Sequence, residues 1–469
     1  MTVDNGLLRS PAGAREAVHS DVERPVNDQA LRGMRRFTSA LALLLAGYAL
    51  FDHAMAWTHI PGTPIYVGEI VLFIGAIGMT TAALRIRPLI LRSPVLVLLV
   101  IYMAWGAMKL VFDVGQYGVD ALRDSAIWYY GAFSLLIVLS TAARRLDWWI
   151  DRYAGFVPAL VVWLPVALAL GVLFSDSSLL VPDSPTSIFS HHPSLMAVHG
   201  ILAIGFMWTL GGAYSRIVRI RLPLTLVALA VVLATGLNSR AALVSSGLGA
   251  LLLIFGLRQT RARLAWLVTG LVVSLASVGL LFDVEITWFT NDRVISVEQF
   301  VDNMASIVSP DLVEGDLAAN RTWRTDLWGN AITGLNRDHP LTGYGFGINL
   351  REKFGIQDDD PPSRHPHSSH INTIARMGWI GALLWALLWG TWFWRLARAR
   401  SEFLRTGRDN AASFALLLMV GAIMYLAQAA FNEVMEGPQS GIWVWAIFGF
   451  GACLALVHDA MSPGRAKPR

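Results

Sequence analysis

Three histidines stand close together in a polar stretch late in the chain. The stretch reads His365-Pro-His367-Ser-Ser-His370, follows three consecutive aspartates by a few residues, and runs into an apolar segment that begins near Gly378. A histidine with an ordinary pKa near 6.5 can take a proton from a hydroxyl group at close to neutral pH. General base catalysis is therefore one chemistry that this stretch could perform.

The same histidines allow two other interpretations. His367 and His370 are three residues apart and have carboxylates nearby, so they could coordinate zinc, although the spacing does not match a standard zinc signature. They could also be surface histidines beside a helix that Ser368 or Ser369 caps at its N-terminus.

Arginines in two places could bind an anionic substrate. Arg240 follows Asn238-Ser239 between two apolar segments, and Arg321 and Arg324 are three residues apart in a polar segment. Arginine is suited to bidentate contact with phosphate. Arg240 could equally be an interfacial residue that reaches the lipid headgroups, and Arg321 and Arg324 could pair with neighbouring aspartates.

The elements that carry these residues are membrane helices. The chain has 469 residues, of which 55% are hydrophobic and only 15% charged, which is typical of a polytopic membrane protein. We predict an all-α fold with about twelve transmembrane helices, near 37–57, 66–84, 95–112, 126–143, 155–174, 194–214, 222–237, 241–257, 264–282, 378–395, 411–430 and 441–457.

Basic clusters fix the predicted topology. Arginine-rich loops alternate with poorly charged ones, and assigning the arginine-rich loops to the cytoplasm places both termini inside. These loops contain the arginines at 85–92, 144–152, 216–221, 258–263 and 395–408. Arg240 and the long segment 283–377 then share the extracytoplasmic side. The predicted division is a disordered cytoplasmic tail (1–36), helices 1–9 (37–282), a large, mainly helical, extracytoplasmic catalytic loop (283–377), helices 10–12 (378–457) and a cytoplasmic tail (458–469).

The sequence gives no support for nucleic-acid binding, for a nucleotide-binding loop or for an intrachain disulfide. The formal charge of +4 follows from the positive-inside pattern, and no nucleic-acid-binding motif is present. The Gly-rich turn between Gly334 and Gly347 lacks a following GKS or GKT, so we reject it as a nucleotide-binding loop. A single cysteine, Cys453, permits no intrachain disulfide.

Short motifs in a fixed order carry a family resemblance. They are Asn238-Ser239-Arg240-Ala-Ala, Arg324-x-x-x-Trp328-x-x-Ala331, His339-Pro340-Leu-x-Gly343-x-Gly345-x-Gly347, and His367 eleven residues before Gly378-x-x-Gly381. Together with the topology, they resemble the O-antigen ligase and polymerase family.

The resemblance implies roles for individual residues. Arg240 would contact the pyrophosphate of a polyprenyl-diphosphate-linked glycan, and His367 would activate the acceptor hydroxyl. We expect Arg321, Arg324, His370 and Arg123 to contribute to substrate binding. The chain departs from the family pattern at Ser368, where asparagine is frequent, and at Arg376, where an acidic residue is frequent.

The predicted function is a metal-independent glycosyltransferase of the bacterial cytoplasmic membrane. It would move a glycan from a polyprenyl-diphosphate carrier to an acceptor hydroxyl on the extracytoplasmic face, without a cofactor and without a nucleic-acid partner. Its partners would be the lipid-linked donor, a glycan or lipid acceptor, and membrane lipids. The alternative is a transporter or flippase of lipid-linked glycans, for which we would expect broken helices and ionisable residues at mid-membrane.

Overall fold

The computed structural model describes residues 28–61, 63, 65–81, 83–174, 179–181, 186–257, 262, 286–288, 293–295, 316–354 and 364–461. Its α-helices are α1 Asp28–Phe51, α2 Val67–Thr81, α3 Ala83–Arg92, α4 Pro94–Tyr117, α5 Val119–Asp124, α6 Ala126–Tyr129, α7 Ala132–Arg144, α8 Leu146–Leu173, α9 Pro193–Trp208, α10 Ser215–Asn238, α11 Arg240–Gly256, α12 Asp316–Asp338, α13 Leu350–Lys353, α14 Ser369–Arg405, α15 Asp409–Ala429 and α16 Pro438–Met461. Two 3-10 helices, Asp52–Trp57 and Leu210–Ala213, follow α1 and α9.

Seven helical segments among the described residues are long and apolar enough to cross a membrane: Arg32–Trp57, Pro94–Tyr117, Ala132–Leu173, Ser215–Leu237, Ser369–Arg405, Asp409–Ala429 and Pro438–Met461. Shorter apolar helices are Val67–Thr80, Pro193–Trp208 and Arg240–Gly256. The chain is thus a helical, multi-pass membrane protein. Each predicted span coincides with a helix except 264–282, which lies outside the described residues, so the total of about twelve stays a prediction.

Two element boundaries differ from the sequence prediction. Helix α1 begins at Asp28, inside the segment 1–36 that we predicted to be a tail. Helix α14 begins at Ser369, nine residues before Gly378, because the side chain of Ser368 caps it by accepting a hydrogen bond from the Ile371 amide (3.3 Å). Of the two serines that could cap this helix, Ser368 is the one that does so in the structure.

The described part of the segment 283–377 is mostly helical. It holds α12 and α13 and a short antiparallel pair, β1 Ile286–Trp288 with β2 Arg293–Ile295, in which Thr287 lies opposite Val294.

Helices α9, α11 and α15 form a compact unit that sets which residues meet at each end. Gln428, near the end of α15, donates from Nε2 to the carbonyl of Ser194 (2.8 Å) and to the hydroxyl of Ser245 (3.0 Å). At the other end, a Cβ on Gly256 would meet Leu416. Helices α11 and α15 are therefore antiparallel, and the start of α11 lies beside the end of α15.

The two ends of the bundle are formed by different elements. At the end formed by the start of α15, Arg395 pairs with Asp459 and Arg400 donates to the carbonyl of Gly256 (2.9 Å). This end carries one of the arginine clusters that the sequence assigns to the cytoplasm. The opposite end holds the last turn of α15 and the first turns of α11 and α14.

A break in α14 receives the Gly-rich turn. Gly378 has φ +68°, and a Cβ there would stand 2.2 Å from the carbonyl oxygen of Leu341. The turn docks by backbone hydrogen bonds, from the Trp379 amide to Pro340 (2.9 Å) and from the Tyr344 amide to Ala375 (2.8 Å). Only glycine allows this approach, so the Gly-rich turn serves as a docking element for α14.

Candidate active site

His367 occupies an uncommon backbone conformation beside the start of α14. Its φ is +49°, in the left-handed region that few non-glycine residues adopt. Its neighbours hold it there, since the indole of Trp328 donates to the carbonyl of Pro366 (2.7 Å) and Ser368 caps α14. A strained residue that is fixed on both sides is a candidate for function.

A carboxylate and an aromatic ring flank the imidazole of His367. Nδ1 lies 3.8 Å from Oε1 of Glu433, which belongs to the connection between α15 and α16. The ring of Trp323 on α12 meets it edge-on, with centroids 5.5 Å apart. The side chains of His367 and Glu433 are 31% and 29% exposed, so a substrate can reach both.

Two guanidinium groups surround the same tryptophan. Arg324 and Arg351 lie 5.5 and 5.1 Å from the ring centroid of Trp323, within the range of cation–π contacts. Arg324 also donates to the carbonyl of Phe431 (2.9 Å), which ties α12 to the connection that carries Glu433. Positive charge is thereby concentrated around His367.

The surroundings of His367 lower its pKa to about 4. Burial is the first cause, since it disfavours the charged imidazolium, and the positive charges of Arg324 and Arg351 add to it. At neutral pH the ring is therefore uncharged and can accept a proton.

Glu436 fixes the first turn of α14 against the connection between α15 and α16. It accepts hydrogen bonds from the hydroxyl of Ser369 (2.5 Å) and the amide of Asn372 (2.8 Å). Burial raises the pKa of its carboxyl group. These contacts hold the helix start, and with it His367, at a set distance from Glu433.

A buried ion-pair network underlies the site. Arg376 and Asp124 are both fully buried, with Nη1 2.8 Å from Oδ2, and Nε of Arg376 donates to Asn372 (2.8 Å). Arg364 pairs with Asp120 (3.0 Å) at the edge of the network. Arg376, the residue at which the chain departs from the family pattern, thus binds α14 to α5.

His365 is part of this network. Its Nε2 lies 3.8 Å from Asp124, and burial, followed by the charges of Arg376, Arg123 and Arg364, holds its pKa well below the ordinary value. His365 is buried, whereas His367 is half-exposed.

The two histidines that could have been the base have different surroundings. Nε2 of His370 lies 3.0 Å from the carbonyl of Leu426 and its ring packs near Trp385. That contact ties α14 to α15, whereas His367 faces Glu433. His367 and His370 therefore have no partner in common among these contacts.

Arg240 is the first residue of α11, directly after the N-cap Ser239, and is half-buried. Through the contact of Ser245 with Gln428, the start of α11 lies beside the end of α15. The carbonyl of Ala429, at that same end, accepts a hydrogen bond from the hydroxyl of Ser368 (3.2 Å). Arg240 and His367 therefore lie at one end of the bundle.

The two remaining predicted site residues, Arg321 and Arg123, lie on α12 and α5. Arg321 lies on α12, one turn before Arg324, with its side chain outside the described atoms. Arg123 is exposed on α5 and acts on the site through its charge near His365.

Glu433, Trp323 and Arg351 were not selected from the sequence. Glu433 lies between the predicted spans 411–430 and 441–457, which the predicted topology joins on the same side as His367, but its spacing gives no reason to choose it among the acidic residues there. Trp323 could have been selected from its position next to Arg324, because a tryptophan ring can stack with an arginine guanidinium group.

The structure defines the class of protein: a multi-pass helical membrane protein with a His–Glu pair and clustered arginines at one end. Residues 224–386 match the model of the family described as O-antigen ligase. The match extends from α10 past the break in α14 and includes Arg240, Arg324 and His367. It supports a similarity of this part of the chain to the O-antigen ligase/polymerase family. No curated protein matches the chain.

Proposed function

We propose that this protein transfers a glycan from a polyprenyl-diphosphate carrier to an acceptor hydroxyl group at the extracytoplasmic face of the bacterial cytoplasmic membrane. The observation that carries the proposal is the half-exposed, uncharged His367 between Glu433 and two arginines, inside the segment that matches the O-antigen ligase family. Each part of this arrangement has a use in such a transfer.

His367 acts as the general base. Glu433 faces Nδ1, which favours the tautomer with hydrogen on that nitrogen and leaves the lone pair of Nε2 for the acceptor. The acceptor oxygen attacks the anomeric carbon and passes its proton to Nε2. The bond from that carbon to the diphosphate oxygen breaks, and polyprenyl diphosphate leaves with the electron pair.

The arginines hold the diphosphate. We assign Arg240 and Arg324 to its charge, with Arg321, Arg123 and His370 as further substrate-binding residues. A dianionic group beside Arg324 and Arg351 would offset the charges that lower the pKa of His367. His367 would then become a stronger base when the donor is bound.

The leaving group needs little further activation. A diphosphate is already a good leaving group, so charge stabilisation, a base and positioning are the main requirements. We propose that the reaction needs no metal ion and no cofactor.

The experiment compares the two neighbouring histidines. His367→Ala and His370→Ala are reconstituted into proteoliposomes with a polyprenyl-diphosphate-linked glycan, and glycan transfer to acceptor is measured. We expect His367→Ala to lose about 10²- to 10⁴-fold in rate, the usual contribution of a general base. Near-normal turnover of His367→Ala would remove the assignment.

A second experiment separates a ligase from a polymerase. Both use the same donor and differ in the acceptor, so the glycans of cells that lack the protein distinguish them. Loss of long chains indicates a polymerase, and loss of attachment of complete chains indicates a ligase.

A further inference from the structure

An apolar cavity of about 450 Å³ lies between α1, α8, α9, α15 and α16. Its lining includes Ala42, Phe206, Leu418 and Phe450, and nearly all of it is hydrocarbon or aromatic. Leu43, at its edge, is 73% exposed, so the cavity opens sideways between helices. In a membrane protein such an opening faces the hydrocarbon of the bilayer.

One end of the cavity lies far from the candidate active site along the bundle axis. Phe414, in its lining, precedes Gln428 on α15, and at 1.5 Å per residue the two are roughly 20 Å apart. Trp148 and Arg152, also in the lining, lie on the first two turns of α8. The preceding arginines, Arg144 and Arg145, are ones that the sequence assigns to the cytoplasm.

Positive charge borders this cavity. The guanidinium groups of Arg144 and Arg152 lie 5.1 and 5.4 Å from the ring centroid of Trp148. The nearby carboxylates have partners of their own. Asp147 pairs with Arg145 (3.4 Å), and Asp151 accepts a hydrogen bond from the hydroxyl of Tyr214 (2.7 Å).

A buried donor lies in the lining next to these arginines. Trp149 is 7% exposed, and among the described residues its indole N–H has no hydrogen-bond partner. Leaving such a donor unsatisfied is unfavourable, so a ligand that brings an acceptor oxygen to it would be favoured.

We propose that this cavity binds an anionic phospholipid of the cytoplasmic leaflet. One acyl chain fills the apolar space, an ester carbonyl accepts a hydrogen bond from Nε1 of Trp149, and the phosphate lies against Arg144 and Arg152. The apolar lining, the buried Nε1 of Trp149 and the guanidinium groups beside Trp148 are suited to the acyl chain, the ester and the phosphate of a phospholipid. The site is independent of the proposed transfer reaction.

The polyprenyl donor is the competing occupant. Its diphosphate belongs at the opposite end of the bundle under the proposed function, and a polyprenyl chain carries no ester to accept from Trp149. A phospholipid satisfies the charge, the acceptor and the apolar volume in one molecule.

The test uses the full chain in lipid nanodiscs that contain phosphatidylcholine and a trace of phosphatidylglycerol with a photoreactive acyl chain. Crosslinked peptides are mapped by mass spectrometry. We expect crosslinks to the cavity lining, and Arg152→Gln should reduce them about fivefold, since one arginine near an anionic lipid contributes about 1 kcal/mol. Leu418→Trp, which narrows the cavity, should also reduce them.

Matched variants complete the test. Arg219→Gln removes an exposed arginine of another arginine-rich segment assigned to the cytoplasm, and Leu383→Trp enlarges an exposed residue on α14; neither lines the cavity. Both should leave crosslinking unchanged. Any of three results would overturn the proposal. They are labelling confined to outward-facing residues, equal labelling by a phosphatidylcholine probe, and displacement of the probe by polyprenyl diphosphate. Arg152 is exposed, so its replacement should not impair folding.

Discussion

At the scale of single residues, the site depends on how its surroundings set the charge of one imidazole. His367 keeps a neutral ring because it is partly buried and lies near Arg324 and Arg351. Its sequence neighbours His365 and His370 are engaged in a buried network and in a helix–helix contact. Three histidines of one short motif therefore have three different environments.

The first prediction concerns the pH dependence of transfer. With a pKa of about 4, free His367 is protonated only below that pH, so kcat/KM should be level from neutral pH to about pH 5 and fall below it. Arg324→Gln removes a charge that disfavours the imidazolium, so the fall should move to higher pH, toward the ordinary value near 6.5.

Lys353→Gln is the control for this shift. Its ammonium group lies over the ring of Tyr344 (4.7 Å), and its charge is not among the causes of the low pKa of His367. In this variant kcat/KM should fall at the same pH as in the wild type. If the fall of kcat/KM also stays at that pH in Arg324→Gln, the electrostatic explanation is contradicted.

At the scale of elements, the site depends on how α14 begins and where it breaks. The cap by Ser368 could be predicted from the sequence, because serine before a helix is a common N-cap. The docking of the Gly-rich turn into the break at Gly378 could not, because the contact joins segments more than thirty residues apart by backbone hydrogen bonds that leave no side-chain pattern.

Gly378→Ala tests this docking. The new Cβ would overlap the carbonyl of Leu341, and φ +68° is costly for alanine, so we expect a loss of stability of about 1–3 kcal/mol and reduced transfer. Gly390→Ala, in the same helix with open space around it, should be close to neutral. Thermal unfolding of the detergent-solubilised proteins provides the comparison, and equal midpoints would contradict the role of the break.

The buried ion pair of Asp124 and Arg376 joins α5 to α14 and should contribute more to stability than an exposed pair nearby. Asp124→Asn leaves the guanidinium of Arg376 buried without its counter-charge, which typically costs about 3–5 kcal/mol. Asp120→Asn removes a 48% exposed partner of Arg364 and should cost at most about 1 kcal/mol. The unfolding midpoints of the two variants should therefore differ clearly, and a larger effect of Asp120→Asn would show that the pair is not central.

At the scale of the whole molecule, the arrangement of charge along the bundle was the most informative signal in the sequence. The parity of arginine-rich loops predicted that Arg240 and His367 share a side, and the structure places both at one end of the bundle. The pairing of His367 with Glu433 was not predictable in this way. It depends on packing among α12, α14 and the connection between α15 and α16, which brings together residues distant in sequence.

Cysteine labelling tests the predicted topology. The native Cys453 is buried, so single cysteines at Leu341 and Ser401, exposed positions at opposite ends of the bundle, can be compared with a membrane-impermeant maleimide in spheroplasts. Leu341→Cys should react in intact spheroplasts, and Ser401→Cys only after permeabilisation. The reverse pattern would place the site on the cytoplasmic face.

The central claim is that the protein breaks the bond between glycan and diphosphate. The most direct measurement follows a doubly labelled lipid-linked glycan in proteoliposomes and counts free polyprenyl diphosphate against new glycosidic bonds. The account predicts one polyprenyl diphosphate released for each glycan transferred, with both lost together in His367→Ala and in Arg240→Ala. Donor that crosses the bilayer intact, with no release of polyprenyl diphosphate, would contradict the account and identify a transporter.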